Sequence, residues 1–286
     1  MDHVRWHDRP KLHRPVLVAA FEGWNDAGDA ASGAVRYLRD RWGARPFAAL
    51  DPEEFYDFST TRPEVRLSEG ITREIVWPVN EFSAATLPNG SGDVAVLLGT
   101  EPQLRWRTFS DQIVDVARAL GVELVMTLGA LLADVAHTRP VKITGTAADD
   151  ELVARLDLTR STYEGPTGIV GVLHDACGRA KLPSASLWAA VPHYVAATPS
   201  PKASLALIER AARLLSTSVM TADLQTRALD YERQVSEIVA SDEDVAAYVQ
   251  RLESSADQDD MADMELPSAE SLAAEVERFL RDERRE

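Results

Sequence analysis

Apolar runs of strand length alternate with amphipathic stretches of helix length from residue 16 to about residue 220. This alternation constrains the fold more than any other feature. The apolar run Val16–Phe21, for example, precedes a segment in which Val35, Leu38 and Trp42 recur at helical spacing. Strands that alternate with helices favour helices packed on both faces of a parallel sheet. The pattern predicts an α/β fold, a three-layer α/β/α sandwich with a mixed, largely parallel sheet.

Residues 64–77 interrupt this alternation. β-Branched residues there alternate with polar ones on both sides of the turn sequence SEG, which is the pattern of a β-hairpin. A hairpin adds antiparallel pairing, and we expect it to make the sheet mixed.

The last quarter of the chain differs in charge and in predicted structure. The whole chain has a formal net charge of −16, and residues 221–286 contain 19 acidic and 7 basic residues. Long amphipathic helices are predicted from residue 222 to about 255, then an acidic linker over 256–267 and a final helix from Ser268. The chain is therefore predicted to consist of an α/β domain, residues 1–220, and an acidic helical C-terminal extension, residues 221–286.

Composition excludes several classes of function. The acidic charge disfavours nucleic acid and anionic membranes as partners, because both require clustered Lys and Arg. No apolar run approaches the ~18 residues of a membrane span, and the polar N-terminus does not resemble a secretory signal. The single cysteine, Cys177, fits a reducing compartment. These features predict a cytoplasmic protein.

The sequence FEGWNDAGDAASGA, which follows the first apolar run, has the outline of a nucleotide-binding turn. Its glycines do not match the phosphate-loop or dinucleotide patterns, however. The carboxylates of Glu22, Asp26 and Asp29 would repel a phosphate. The segment is better interpreted as a turn in which Asn25 or Asp26 caps the following helix. The alternative is a site for a neutral or cationic group.

Two further groups of residues have the composition of a site. Asp134, His137 and Arg139 follow a predicted strand, the usual position of active-site residues in α/β folds, although His137 could instead satisfy backbone groups. His174 and Cys177 are neighbours on a predicted helix, but a cysteine in an apolar stretch is usually buried and inert. No motif for a metal, and no nucleophile elbow, is present.

Five phrases in the same order resemble the proteasome assembly chaperone 2 family, in its actinobacterial branch. They are LVAAFEGWNDAGDAASGAVRYL, GTEPQLRW, TLGALLADVAHTRP, YEGPTGIVGVL and SLWAAVPHYVAATPSPKASLALI. The resemblance implies a three-layer domain related in fold to purine nucleoside phosphorylases and hydrolases of that type. It also implies non-enzymatic work through protein–protein contact and self-assembly, without a cofactor.

The same resemblance bears on partners. Eukaryotic and archaeal members chaperone assembly of the proteasome core, some of them through a C-terminal tripeptide of a hydrophobic residue, Tyr and any residue. This sequence ends in Arg284, Arg285 and Glu286. Docking on the proteasome by that route is therefore not expected.

Three hypotheses follow. The leading one is a homo-oligomeric chaperone-like scaffold of three or four subunits with a proteasome-related or other protein partner. The second is a nucleoside- or glycosyl-binding protein or hydrolase that uses Glu22 and Asp26 in a pocket at the first strand-to-helix turn. The third is a module whose acidic tail binds a basic protein. The candidate pocket or interface residues are Glu22, Trp24, Asn25, Asp26, Asp134 and His137, with no catalytic or metal-binding residue assigned.

Overall fold

A computed structural model of the protein describes residues 2–264 apart from 69–71, 89, 91, 148, 161 and 162. The strands are β1 (Val4–Trp6), β2 (Val16–Glu22), β3 (Arg45–Leu50), β4 (Glu64–Ser68), β5 (Thr72–Val76), β6 (Asn80–Thr86), β7 (Asp93–Thr100), β8 (Leu124–Ala133), β9 (Ile143–Ala147), β10 (Thr159–Arg160) and β11 (Ser184–Pro192). The helices are α1 (Ala30–Arg41), α2 (Trp106–Leu120), α3 (Asp150–Leu156), α4 (Ile169–Arg179), α5 (Pro201–Leu214), α6 (Ala222–Ala240) and α7 (Glu243–Met264).

The main sheet has nine strands in the order β1-β3-β6-β7-β2-β8-β11-β9-β10. Its four central strands, β7, β2, β8 and β11, are parallel to one another. Antiparallel pairing joins β1, β3, β6 and β7 on one side and β9 to β11 on the other. The predicted mixed, largely parallel sheet is confirmed, with its parallel pairing concentrated at the centre.

The two faces of this sheet bury two separate cores. Along β2, Leu17, Ala19 and Phe21 pack with α2 and α4, whereas Val18 and Ala20 pack with α1 and α5. Successive side chains of a strand point to opposite faces. A strand covered on both faces must therefore be apolar throughout, which explains the continuous apolar run. With helices on both faces of the sheet, the predicted three layers are confirmed.

The predicted hairpin is present but does not belong to the main sheet. Strands β4 and β5 pair antiparallel from Glu64–Val76 to Ser68–Thr72 and form a sheet of their own; the turn residues 69–71 lie outside the described part of the chain. The expectation that this hairpin makes the main sheet mixed is therefore wrong. The antiparallel pairing of that sheet comes from β1, β3, β6 and β9.

The C-terminal extension packs on the α/β body through α6 and α7. A third apolar cluster joins Tyr231, Val235 and Val239 of α6 and Val249 of α7 to Ala136, in the connection after β8. The long helices predicted from residue 222 are confirmed.

The predicted linker over residues 256–267 is wrong over its described part, because α7 continues as a helix to Met264. The carboxylate of Asp257 accepts two hydrogen bonds from Arg139 at 2.7 Å, so acidic residues that look unpatterned in sequence have a partner in the fold. The predicted final helix lies outside the described residues. None of the described helices is long and apolar enough to cross a membrane.

Candidate functional site

The turn after β2 is built around the side chain of Asp26. Its Oδ1 accepts hydrogen bonds from the backbone N–H groups of Ala31, at 2.7 Å, and Ser32, at 3.1 Å. These are among the N–H groups that the first turn of a helix leaves without a partner. Of the two capping residues predicted, Asp26 therefore caps α1.

The second oxygen of Asp26 is in a different situation. The side chain is only 5% exposed, and Oδ2 has no hydrogen-bond partner among the described residues. Burial raises the pKa of this carboxyl above its usual value; the hydrogen bonds from Ser32 and Ala31 lower it, and the charge of Asp29 raises it further. Burial therefore disfavours the ionised form of Asp26, whereas the two capping hydrogen bonds favour it.

We expect the stability conferred by Asp26 to fall as pH rises. Because its pKa in the folded protein is raised above the ordinary value of 3.8, the proton is held more tightly in the folded state than in the unfolded one. The free energy of unfolding of the wild type should therefore decrease relative to that of Asp26→Asn as pH rises through the raised pKa. Urea unfolding of both proteins from pH 3 to pH 8 measures this difference, and a constant difference would contradict the proposed burial of the charge.

Glu101, at the end of β7, holds the turn in place from the other side. One oxygen, Oε1, accepts from the Asn25 side-chain amide at 3.0 Å and from the backbone N–H of Ile169 at 2.8 Å, and Oε2 accepts from the backbone N–H of Trp24 at 3.3 Å. Ile169 is the first residue of α4, so the carboxylate also lies at a helix N-terminus, where a negative charge is stabilising. No local sequence pattern predicts this role, because Glu101 is 76 residues away from Asn25.

A groove of about 1450 Å³ opens beside this turn. Its apolar rim consists of Trp24, Leu131 and Leu132, which are 64%, 46% and 49% exposed. One wall is formed by side chains of β9 and β11, including Thr146 and Trp188. Hydrogen bonds join the side chains of this wall to one another.

In that wall, the indole of Trp188 donates to Ser186 Oγ at 3.0 Å, and Ser186 Oγ lies 2.7 Å from Thr146 Oγ1. The Trp188 ring packs against Gly129 of β8, where any side chain would overlap it. These contacts fix the orientation of the indole, so the wall presents a rigid aromatic surface to the groove.

His174 of α4 also lines the groove, and its ring is fully hydrogen-bonded by neutral hydroxyl groups. Nε2 lies 2.8 Å from Thr127 Oγ1, and Nδ1 lies 2.9 Å from Ser184 Oγ. Burial lowers the pKa of His174 to about 4 and raises the pKa of the nearby Cys177 thiol to about 12. At neutral pH the imidazole is a weak base and the thiol is not ionised, so neither residue is activated for catalysis.

Charged side chains of both signs line the groove. The cations are Arg155, Arg160 and Lys181, and the anions other than Asp26 are Asp29, Asp149 and Glu151. In the described part of the chain, no group of three or more His, Cys, Asp or Glu side chains is placed to hold a metal ion. The groove is therefore better suited to a ligand that carries charges of both signs than to a small anion or a metal cation.

The predicted site residues do not form one site. Trp24, Asn25 and Asp26 line the groove. Glu22 does not line it, and instead makes an ion pair with Arg36 at 2.7 Å on the surface. Glu22 and Asp26 therefore do not face a common substrate position, as an acid–base pair would require.

Asp134 and His137 contact the C-terminal extension and do not line the groove. Asp134 is exposed, accepts a hydrogen bond from Tyr248 of α7 at 3.0 Å, and lies 3.2 Å from His193. His137 is buried beneath α6. These residues connect the α/β body to the extension.

The hydrogen bonds of His137 define its tautomer. Tyr194 Oη accepts from the backbone N–H of His137 at 2.8 Å, so its own proton is directed to Nδ1, at 2.9 Å. Nε2–H then donates to Ser236 Oγ at 2.9 Å, and that hydroxyl donates to the backbone carbonyl of Glu232. A proton added at Nδ1 would break the bond from Tyr194.

We expect attachment of the extension to weaken at acid pH. The pKa of His137 is lowered from 6.5, mainly by burial, with Glu232 opposing the shift and Lys202 adding to it. Its contribution to stability is present above pH 6.5 and is lost as pH falls through the lowered pKa. Hydrogen exchange of α6 from pH 7.5 to pH 4.5 should show loss of protection in the wild type.

His174 is shifted in the same direction, so the comparison needs a variant of His137 alone. In His137→Gln the loss of α6 protection with falling pH should be smaller. An identical pH dependence in the two proteins would show that His137 does not control this contact.

The sequence profile of the PAC2 family matches residues 20–239, more than half of the chain. The chain belongs to the PAC2 family. The match includes the first turn, Glu101, the groove and α6, and it ends before α7. A comparison with curated proteins gives no match.

Several solved structures are similar to this chain in sequence and fold. A PAC2 family protein from Streptomyces avermitilis is 47% identical, with a TM-score of 0.77, over 82% of this chain and 99% of its own. The Mycobacterium tuberculosis proteasome-assembly chaperone homologue Rv2125 is 46% identical, with a TM-score of 0.75, over the same shares of the two chains. Rv2714 from M. tuberculosis, of unknown function, is 27% identical, with a TM-score of 0.81, over 91% of this chain and 90% of its own.

Proposed function

We propose that this PAC2 family protein is a non-enzymatic, homo-oligomeric, chaperone-like scaffold that acts in the cytoplasm through protein–protein contacts. The observation that carries the proposal is its 46% identity, over 82% of the chain, with a protein named as a proteasome-assembly chaperone homologue. Assembly into three or four subunits and a proteasome-related partner belong to this proposal.

The size and the surface of the groove support the proposal that its ligand is a protein. Its volume of about 1450 Å³ exceeds the ~300–1,000 Å³ of pockets that enclose small molecules. The apolar rim of Trp24, Leu131 and Leu132 exposes large side chains at the end of the sheet. Large exposed apolar side chains beside charged ones are typical of protein interaction surfaces.

The titratable residues of the groove argue against catalysis. His174 has a pKa of about 4 and is bonded to two neutral hydroxyls. Oδ1 of Asp26 is used in capping α1, and its Oδ2 is buried. A general acid or base needs a pKa near the working pH and access to the substrate, and neither residue has both.

The second candidate function is binding or hydrolysis of a nucleoside or glycosyl compound. One observation favours it, since the groove does begin at the first strand-to-helix turn and includes Asp26. Glu22, which was expected to form an acid–base pair with Asp26, lies outside the groove and is paired with Arg36. We therefore place this candidate second.

A ligand panel separates the two functions. We expect no thermal stabilisation by nucleosides, sugar phosphates or glycosides at millimolar concentration. A ligand present at 100 times its Kd adds about 2.7 kcal/mol to the free energy of unfolding by mass action, which a thermal scan detects easily. Stabilisation by one compound class, abolished by Trp188→Ala and retained in Leu67→Asp on the distant hairpin, would favour the second function.

The partner part of the proposal has its own experiment. Co-expression with proteasome core subunits should yield a complex in which Leu131→Asp lowers recovery and Leu67→Asp does not. Equal recovery with both variants would exclude the groove as the docking surface.

A further inference from the structure

The hairpin formed by β4 and β5 stands apart from the body of the fold. It is a sheet of its own, and its described side chains are exposed apart from that of Val76, which is half-buried. A two-stranded hairpin is at best marginally stable in water by itself. We therefore expect another surface to cover this hairpin in the working protein.

One face of the hairpin is apolar. Val65 lies directly opposite Ile75, and Leu67 lies opposite Arg73; residues that are directly opposite in an antiparallel pair share a face. Trp77, one residue past the end of β5, continues the alternation from Ile75. The side chains of Val65, Leu67, Ile75 and Trp77, which we call the apolar hairpin face, are between 45% and 62% exposed.

The base of the hairpin is anchored to the body. Trp77 packs edge-on against Phe58, with their ring centroids 4.9 Å apart. Phe58 in turn packs against the apolar core that contains residues of α2 and α4. Three residues after Trp77, the chain enters β6 of the main sheet at Asn80. The hairpin therefore projects from a fixed position, as a specific contact surface requires.

The charge of the hairpin favours a second copy of this chain as the occupant. The chain has a net charge of −16, so two copies repel each other over most of their surfaces. Residues 62–76 contain three basic and three acidic residues. On the face opposite the apolar one, Arg66 pairs with Glu64 at 3.1 Å. Two copies can therefore approach each other through their hairpins with little repulsion.

The order of side chains on the apolar hairpin face suits contact with itself. Leu67 and Arg73 lie toward the tip, Val65 and Ile75 in the middle, and Trp77 at the base. A two-fold axis through the middle would place each Ile75 against its equivalent and the tip of each hairpin against the base of the other. Each Arg73 guanidinium would then meet a Trp77 ring, which is a favourable cation–π contact. A two-fold contact requires such self-complementarity.

We propose that the apolar hairpin face packs against the same face of a second copy about a two-fold axis. This contact rests on the homo-oligomeric part of the proposed function and assigns the surface that forms the oligomer. An assembly built from such pairs has an even number of subunits, which selects four over three. No described residue of the hairpin lines the groove, so hairpin variants should still recover a partner that binds there.

Disulfide capture in the full chain tests the two-fold contact. Ile75→Cys places a thiol beside the equivalent thiol of the second copy, and mild oxidation should convert most of the protein to a covalent dimer. Glu74→Cys, on the opposite face, should give roughly 10-fold less dimer, because cysteines whose Cα atoms are more than ~7 Å apart are not bridged. The native thiol of Cys177 is buried and contributes to neither result.

Light scattering separates this contact from the proposed scaffold function. Ile75→Asp should reduce the mass of the particle to half or less, and Glu74→Ala should leave it unchanged. A multimer of unchanged mass in Ile75→Asp, with equal cross-linking of the two cysteine variants, would overturn the hairpin contact and leave the scaffold function intact. A wild-type dimer that Ile75→Asp dissociates would support the contact and refute an assembly of three or four subunits. A wild-type monomer would refute both.

The same measurements identify other occupants of the hairpin. If Ile75→Asp lowers the mass but Ile75→Cys does not cross-link, the hairpin docks on a different surface of the neighbouring copy. If the mass is unchanged but Ile75→Asp lowers recovery of a co-expressed partner, the hairpin docks on that partner. Either result would overturn the two-fold contact.

Discussion

Replacing Glu101 with alanine is expected to lower the free energy of unfolding by about 3 kcal/mol. The substitution removes an acceptor that serves Asn25, Trp24 and Ile169 at once. Hydrogen bonds to a charged group contribute about 1.5–3 kcal/mol each, and partial exposure of Glu101 lets water replace some of them. The N-terminus of α4 also loses a stabilising negative charge.

Urea unfolding with a matched control measures this effect. Glu54→Ala removes another carboxylate, one that is paired with Arg105 on the surface, and should change stability by no more than about 1 kcal/mol. Glu101→Gln keeps an acceptor oxygen and should lie between the wild type and the alanine variant. Equal stability of Glu101→Ala and Glu54→Ala would contradict the central position assigned to Glu101.

Replacing Gly168 with alanine is expected to cost about 2–3 kcal/mol by overpacking. The added Cβ would overlap the side-chain nitrogen of Asn25 and lie 2.8 Å from its Cγ. Asn25 is 4% exposed and is bonded to Glu101, so it cannot move aside without losing that bond. The backbone of Gly168 is extended, with φ −97°, so the cost comes from space alone.

The control lies at the other end of the same helix. Nothing lies within 4 Å of a Cβ added at Gly178, and Gly178→Ala should leave stability unchanged or raise it by up to ~1 kcal/mol. In an Asn25→Ala background, Gly168→Ala should cost less, because the side chain it meets has been removed. An equal loss of stability in both backgrounds would show that the added methyl group does not act through the Asn25 side chain.

The central strands could be predicted from the sequence because of their burial. β2, β7, β8 and β11 are covered by helices on both faces, so their apolar runs are unbroken and stand out. The sequence pattern does not predict β1, β6, α3 or β10. β1 has three residues, and β6, with the sequence NEFSAAT, has only a weak strand pattern. Their structure comes from neighbours that are distant in the chain.

The candidate site could be predicted only in part. Capping of α1 by Asp26 is a local interaction, and local spacing restricts the capping residue to Asn25 or Asp26. Glu101 and Gly168 meet Asn25 through the fold, and neither has a signal in its own neighbourhood. Residues in a loop after a strand have the same sequence signature whether they face a groove or a packed helix. The sequence pattern therefore groups Asp134 and His137 with the first turn, although in the structure Asp134 contacts α7 and His137 contacts α6.

We propose above that this PAC2 family protein works as an assembled scaffold. Size-exclusion chromatography with multi-angle light scattering tests it most directly, because the mass of the particle in solution does not depend on knowing a partner or ligand. We expect a single species with the mass of three or four chains across micromolar concentrations. A particle with the mass of one chain over the same range would contradict it.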